Sequence, residues 1–389
     1  ILFITPRITG ARLAGEPLAY LGMGAWNAAV ATGLAAVYLP TLAADGRLAE
    51  FPLPVDGLLL LGAFTVSAVF FRTVLAAGRR LPYVSIWFFG VALLSLMGAY
   101  FLGSLPPLLG MDPTATALVT GFAARAIETY WVLGTALGTL FYVVPRATGN
   151  PLSSAGMAML AWLLWAGLSG ISALGALVDP SVPFVVTTIG HVGTMLLVAP
   201  VFLAVAALAL TLQGRWSMAL QAGTVAFAVV ALAFLLATAL LEAIGALRSV
   251  QGLVRGTDWF LGAWIFATLG SATFAFLALA DHAASRLLRR TWGGTFLTDV
   301  QVWLGFGGAA LAGLALMFGG IAHGSLMAEA AAPEAITSTL VWFRMAAAAG
   351  LGLAALGGVA AIVALFLLYT TAPRAEYVPA EATTAPTGS

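Results

Sequence analysis

The chain has 389 residues, 61% of them apolar and 8% charged; an ordinary soluble domain is roughly a quarter charged, so a soluble globular protein is excluded. A formal charge of +1, with no basic cluster beyond Arg286, Arg289 and Arg290, leaves no footprint for nucleic acid. The absence of cysteine excludes disulfides, thiolate zinc sites, cysteine-ligated iron–sulfur clusters and covalent c-type haem attachment.

A spanning helix needs about 20 apolar residues. Apolar runs punctuated by Pro, Gly and charge predict ten of them, at 17–40, 55–77, 82–103, 114–144, 153–178, 183–212, 216–246, 257–281, 300–322 and 338–369. The expected fold is all-α, a polytopic membrane protein. The chain opens at Ile1 without a methionine or a signal-peptide pattern, as a processed or incompletely observed product would. Alternating the connections places Arg7, Arg12, Arg79, Arg80, Arg146, Arg215, Arg286, Arg289, Arg290 and Arg374 on one side and only Arg47, Arg248 and Arg255 on the other. The positive-inside rule then puts both ends of the chain in the cytoplasm; a prokaryotic inner membrane is the expected location.

The longest connections, around 41–54, 281–299 and 323–337, are too short to bury a core of their own. One transmembrane domain over 1–372 is expected, with a tail at 373–389 whose Pro, Ala, Thr and Glu content reads as disordered. No short-period repeat and no inverted pair of broken hydrophobic segments is visible, which weakens a transporter reading. Small-residue stretches at Gly307, Gly308 and Gly313 and at Gly350, Gly352, Gly357 and Gly358 predict close helix packing.

An ionisable side chain at the bilayer centre costs about 2.5–3.5 kcal/mol on translocon scales, so each one needs a partner or a purpose. Arg72 and Arg344 lie near span ends and can snorkel; Glu242, Asp258, Asp281, His282 and His323 count as interfacial and need no special role. Arg125 and Glu128 differ. They sit near the middle of the fourth span, three residues apart and so on one helix face. A structural ion pair and a proton-relay or ligand-anchoring site are both open to them. His191, about 13 Å from the outer end of the sixth span at 1.5 Å per residue, is the deep histidine among three; a hydrogen bond to a neighbouring helix is the plainer role and ligation the sharper one. Trp131, Trp162, Trp165 and Trp264 also fall within spans, where large aromatics chiefly fill space.

Several strings occur in a familiar order: FITPRITGARL, PYVSIWFF, LGTLFYVVPRATGNPLSS, LLWAGLSG, TIGHVGTMLLVAP, GTDWFLGAWIFATLG, VQVWLGFGGAAL and GIAHGSLM. In this order the chain resembles the catalytic subunit of C-family (cbb-type) heme-copper oxidases over about 350 residues. The resemblance implies helices in interlocking arcs around pores, with the ten spans matching the third through twelfth of the family. In active members those pores contain a low-spin haem and a high-spin haem facing copper, held by six histidines.

Here the sequence departs from its relatives. Three histidines cannot supply six ligands. Thr257, Asp258 and Trp259 persist, but the two haem-ligand positions that follow read Ala263 and Ile265; the copper positions read Ser169, Gly170 and Arg125. None of these side chains can replace imidazole, and an arginine repels a cation. The resemblance therefore implies no haem, no copper and no catalytic residue. It also implies a positive charge from Arg125 near the family's copper position, with Glu128 one turn away.

The leading expectation is a catalytically degenerate, oxidase-like membrane subunit, not an enzyme on its own, that serves as scaffold or anchor in a respiratory electron-transfer complex. Its partners would be other membrane subunits, cytochrome-containing subunits and lipids. One alternative is a quinol-binding or proton-handling subunit that uses Arg125, Glu128 or His191. Another is an ion or solute transporter gated by the same pair, and a further one is a haem held by His191 and a ligand from preceding sequence.

Overall fold

The computed structural model describes residues 1–38, 53–78, 83–221, 223–288 and 296–370. Every regular element among them is helical. A short α1 (Ile4–Thr9) precedes α2 (Glu16–Tyr38), α3 (Leu53–Ala76) and α4 (Val84–Leu109). The fourth span is one continuous helix, α5 (Pro113–Ala126) running through a π-helical turn (Ile127–Val132) into α6 (Leu133–Thr148). There follow α7 (Ala155–Ala173), α8 (Phe184–Leu196) joined to α9 (Val198–Thr211), and α10 (Thr224–Gly245). After the short α11 (Arg248–Val254), α12 (Trp259–Ile265) passes through a second π turn (Phe266–Ala272) into α13 (Thr273–Leu288). The long pair α14 (Phe296–Ala328) and α15 (Pro333–Thr370) ends the described chain.

Each of the ten predicted spans coincides with one of these helices or joined helices. Nine of them are long and apolar enough to cross a membrane among the described residues. The exception is α2, which has the length at 23 residues but carries Asn27 amid Gly and Ala. Arg47, Arg79, Arg80, Arg289, Arg290, Arg374 and the tail at 373–389 lie outside the described residues.

Local chemistry sets the helix ends that matter for the site. Asp112 caps α5 by accepting hydrogen bonds from the backbone N–H groups of Thr114 and Ala115, with Pro113 at the first helical position. Gly149 ends α6 in the left-handed conformation, φ 73°. The core on this helix is aromatic. Phe88 lies 5.6 Å from Phe141 and 5.0 Å from Trp165, and the Trp165 indole donates to the Thr129 carbonyl over 3.1 Å, tying α7 to the first π turn. Trp165 thus fills space, as expected. The two π turns pack against each other, and such turns often mark places where a helix has been adapted to a site.

Candidate functional site

Arg125 points from the last turn of α5 towards α10. Its Nη1 donates to Glu128 Oε2 over 2.9 Å and to Glu242 Oε1 over 2.5 Å, while Nη2 donates to Glu242 Oε2 over 2.6 Å. The three side chains are only 15%, 10% and 5% exposed. The Arg125–Glu128 pair expected from spacing therefore forms, but the stronger, two-pronged contact is to Glu242. The reading that Glu242 needs no special role is overturned. Distance from a helix end was a poor guide there, because α11 and α12 follow directly and pack against the end of α10. Glu242 and its partner are 117 residues apart, beyond any spacing rule. The one available signal was a lone carboxylate within an otherwise charge-free α10.

His191 reaches the same site. Helix α8 crosses the end of α7 so closely that a Cβ on Gly190 would lie 2.0 Å from the Gly175 backbone nitrogen. This crossing sets the neighbouring His191 against Gln251 of α11, whose amide donates to the ring Nε2 over 2.7 Å. The hydrogen bond to a neighbouring helix is the role observed. Gln251 was not anticipated.

Arg125, Glu128, His191, Glu242, Gln251 and Arg255 all line one cavity of about 650 Å³, with Phe260 and Trp264 on its apolar wall. A second cavity of about 460 Å³, bounded by Trp26, Tyr100, Trp131 and Trp264, shares the Glu128 wall. Beside it the Tyr100 hydroxyl donates to the buried Asp56 over 2.5 Å. One guanidinium facing two carboxylates can hold or pass a proton and can orient a polar ligand.

The other ionisable residues divide. Arg72 is exposed, and Arg344 pairs with Asp258 at 3.2 Å on an exposed surface, as interfacial groups would. Asp281 accepts from the Thr224 hydroxyl. His282 is buried, with its ring edge-on to Tyr142 at 6.0 Å. His323 carries a buried Nδ1 with no hydrogen-bond partner among the described residues.

The positions that resemble haem and copper ligands do not fit those groups. The Ser169 hydroxyl is buried without a hydrogen-bond partner among the described residues, and a Cβ on Gly170 would lie 2.9 Å from the Tyr130 hydroxyl. The Arg125 guanidinium offers no lone pair and is already held by carboxylates. Ala263 is packed with Val254, Trp259 and Met317, and Ile265 with Ala312, Leu316 and Ala347. The three histidines sit in separate surroundings on α8, α13 and α14, and no cluster of three or more His, Cys, Asp or Glu among the described residues could hold a metal.

Residues 1–353 match the family described as Cytochrome C and Quinol oxidase polypeptide I. A curated relative, the Cbb3-type cytochrome c oxidase subunit CcoN1 of Stutzerimonas stutzeri, is 23% identical over 308 residues. That match takes in 77% of this chain but spans 65% of the relative's length. A heme-copper terminal oxidase dimer solved by cryo-EM superposes with a TM-score of 0.72 at 18% identity, over 95% of this chain and 72% of that one, and shows the fold is shared. The resemblance read from the ordered motifs therefore holds. This chain is an integral membrane protein and belongs to the cytochrome c and quinol oxidase polypeptide I family.

Proposed function

We propose that the chain is a catalytically degenerate member of this family that serves as a membrane scaffold within a respiratory electron-transfer complex, binding other membrane subunits and cytochrome-containing subunits. The observation that carries this reading is Arg125. At the position that the resemblance matches to a copper-ligating histidine stands a guanidinium held by Glu128 and Glu242, a side chain with no lone pair to offer a metal. Loss of imidazole donors at Ser169, Gly170, Ala263 and Ile265 agrees with it. In this reading the protein lies in a prokaryotic inner membrane with both ends of the chain cytoplasmic. The purified chain is expected to be colourless, with a flat reduced-minus-oxidised spectrum, and to co-purify with haem-bearing subunits from gently solubilised membranes. A stoichiometric haem band in the isolated chain would overturn the scaffold.

The cavity at Arg125 favours a second reading, in which a quinol ring lies against Phe260 and Trp264 with its hydroxyls towards Glu128 and His191. On this reading a short-chain ubiquinone analogue binds the purified chain, and Glu128→Gln weakens the binding by tenfold or more. Absence of binding, or equal binding by both forms, leaves the scaffold alone.

A further inference from the structure

At the opposite end of the bundle from Arg255 and His191, a cavity of about 460 Å³ opens between α1, α3, α6 and the turn before α7. Its lining is mixed. Ile8, Val74, Ala77 and Leu152 are apolar, whereas Thr9, Tyr83, Tyr142 and Arg146 are polar. Arg146 is exposed and makes no hydrogen bond or ion pair among the described residues; its guanidinium lies over the Tyr142 ring, 5.9 Å from the centroid. Two more arginines stand near. Arg7 hydrogen-bonds the Phe3 carbonyl over 2.9 Å, and Arg286 lies against His282, which feels the charges of Arg286, Arg146 and Arg7 together.

None of these arginines has a carboxylate partner among the described residues. The neighbouring carboxylate, Asp281, is directed at the Thr224 hydroxyl. Each arginine occupies the last turn of its helix, where a cation offsets the helix dipole. That accounts for a cation at each end; it does not account for a cavity beside the one whose guanidinium is uncommitted. The Tyr83 phenol, pushed up to about 12 by burial and drawn down by Arg146, keeps its proton and donates it to the Phe141 carbonyl over 2.8 Å.

We propose that this cavity binds a phosphate group, carried by an anionic phospholipid or present as free phosphate, with Arg146 as the primary contact and Arg7 and Arg286 supplying the field. The chemistry follows from an arginine's planar donors, which match phosphate oxygens two at a time. The apolar half of the lining suits the first carbons of an acyl chain, and basic pockets between spanning helices commonly take anionic lipid headgroups. A zwitterionic choline headgroup would set its own cation against the same arginines.

Native mass spectrometry of the detergent-purified full chain tests this, with phosphatidylglycerol and phosphatidylcholine offered in equal amounts and inorganic phosphate in excess in a separate arm. The chain should retain phosphatidylglycerol in preference to phosphatidylcholine, and Arg146→Gln should lower that retention about fivefold or more, on the scale of one basic residue at a membrane surface. Arg146→Lys should keep part of it, and Arg215→Gln, an exposed arginine outside the cavity, should keep all of it. Displacement of the lipid by inorganic phosphate supports the site with free phosphate as its source; retention in excess phosphate supports it with the lipid as source. Equal retention of both lipids without phosphate binding, or undiminished retention in folded Arg146→Gln, overturns the proposal.

Discussion

Arg125→Ala should lower the stability of the fold by about 3–5 kcal/mol, the usual cost of removing one partner from a buried ion pair. The substitution leaves Glu128 and Glu242 buried and facing each other without the guanidinium that separates them. The penalty comes from two stranded carboxylates, not from the lost packing of an arginine stem. Neutralising all three positions together, as Arg125→Met with Glu128→Gln and Glu242→Gln, should therefore recover most of the loss, because well-packed neutral replacements of buried ion pairs are often close to neutral. The alternative is a cavity wet enough to screen the cluster, in which case the single substitution costs under about 1 kcal/mol, as at a surface. Thermal unfolding of the detergent-solubilised chain separates the two. A single variant that unfolds with the wild type would mean that the cluster does not tie α5 to α10.

This contrast also explains what could be read from the sequence. The spans were legible because a helix in lipid must satisfy its backbone internally, leaving apolar length and its punctuation as strong signals. The seventh span shows the limit. It was placed from 216, but Trp216–Leu220 is a separate 3₁₀ turn and α10 starts at Thr224; a short apolar run alone does not distinguish the two. Within the site, Arg125 and Glu128 were legible because three residues along a helix mean one face. Glu242 and Gln251 were not, since their roles depend on which helix ends meet, and that is decided by crossings such as Gly175 against Gly190. Family motifs ordered the helices but said nothing of Glu242 or Gln251, which lie outside the quoted strings.

The glycines of the last two helices offer an equally sharp test, because they were grouped by composition and the structure divides them. Gly308, Gly350 and Gly357 face another helix's backbone and Gly313 faces the Phe266 ring, while Gly307, Gly352 and Gly358 have open space where a Cβ would be. A Cβ on Gly350 would lie 2.6 Å from the Ala312 nitrogen and 2.7 Å from the Gly308 carbonyl oxygen. Both are backbone atoms, so no side chain can turn away, and a larger residue must push α15 off α14. Between helices in lipid, close van der Waals contact replaces hydrophobic drive, so the separation has no compensation. Gly350→Leu should therefore cost about 1–3 kcal/mol or more, the range for overpacking. Gly352→Leu, two residues along, should be neutral or stabilising by up to about 1 kcal/mol through the helix preference of leucine over glycine. Unfolding midpoints of the two variants, measured side by side, should differ clearly. Equal destabilisation would mean that α14 and α15 do not cross on the Gly308–Gly350 face.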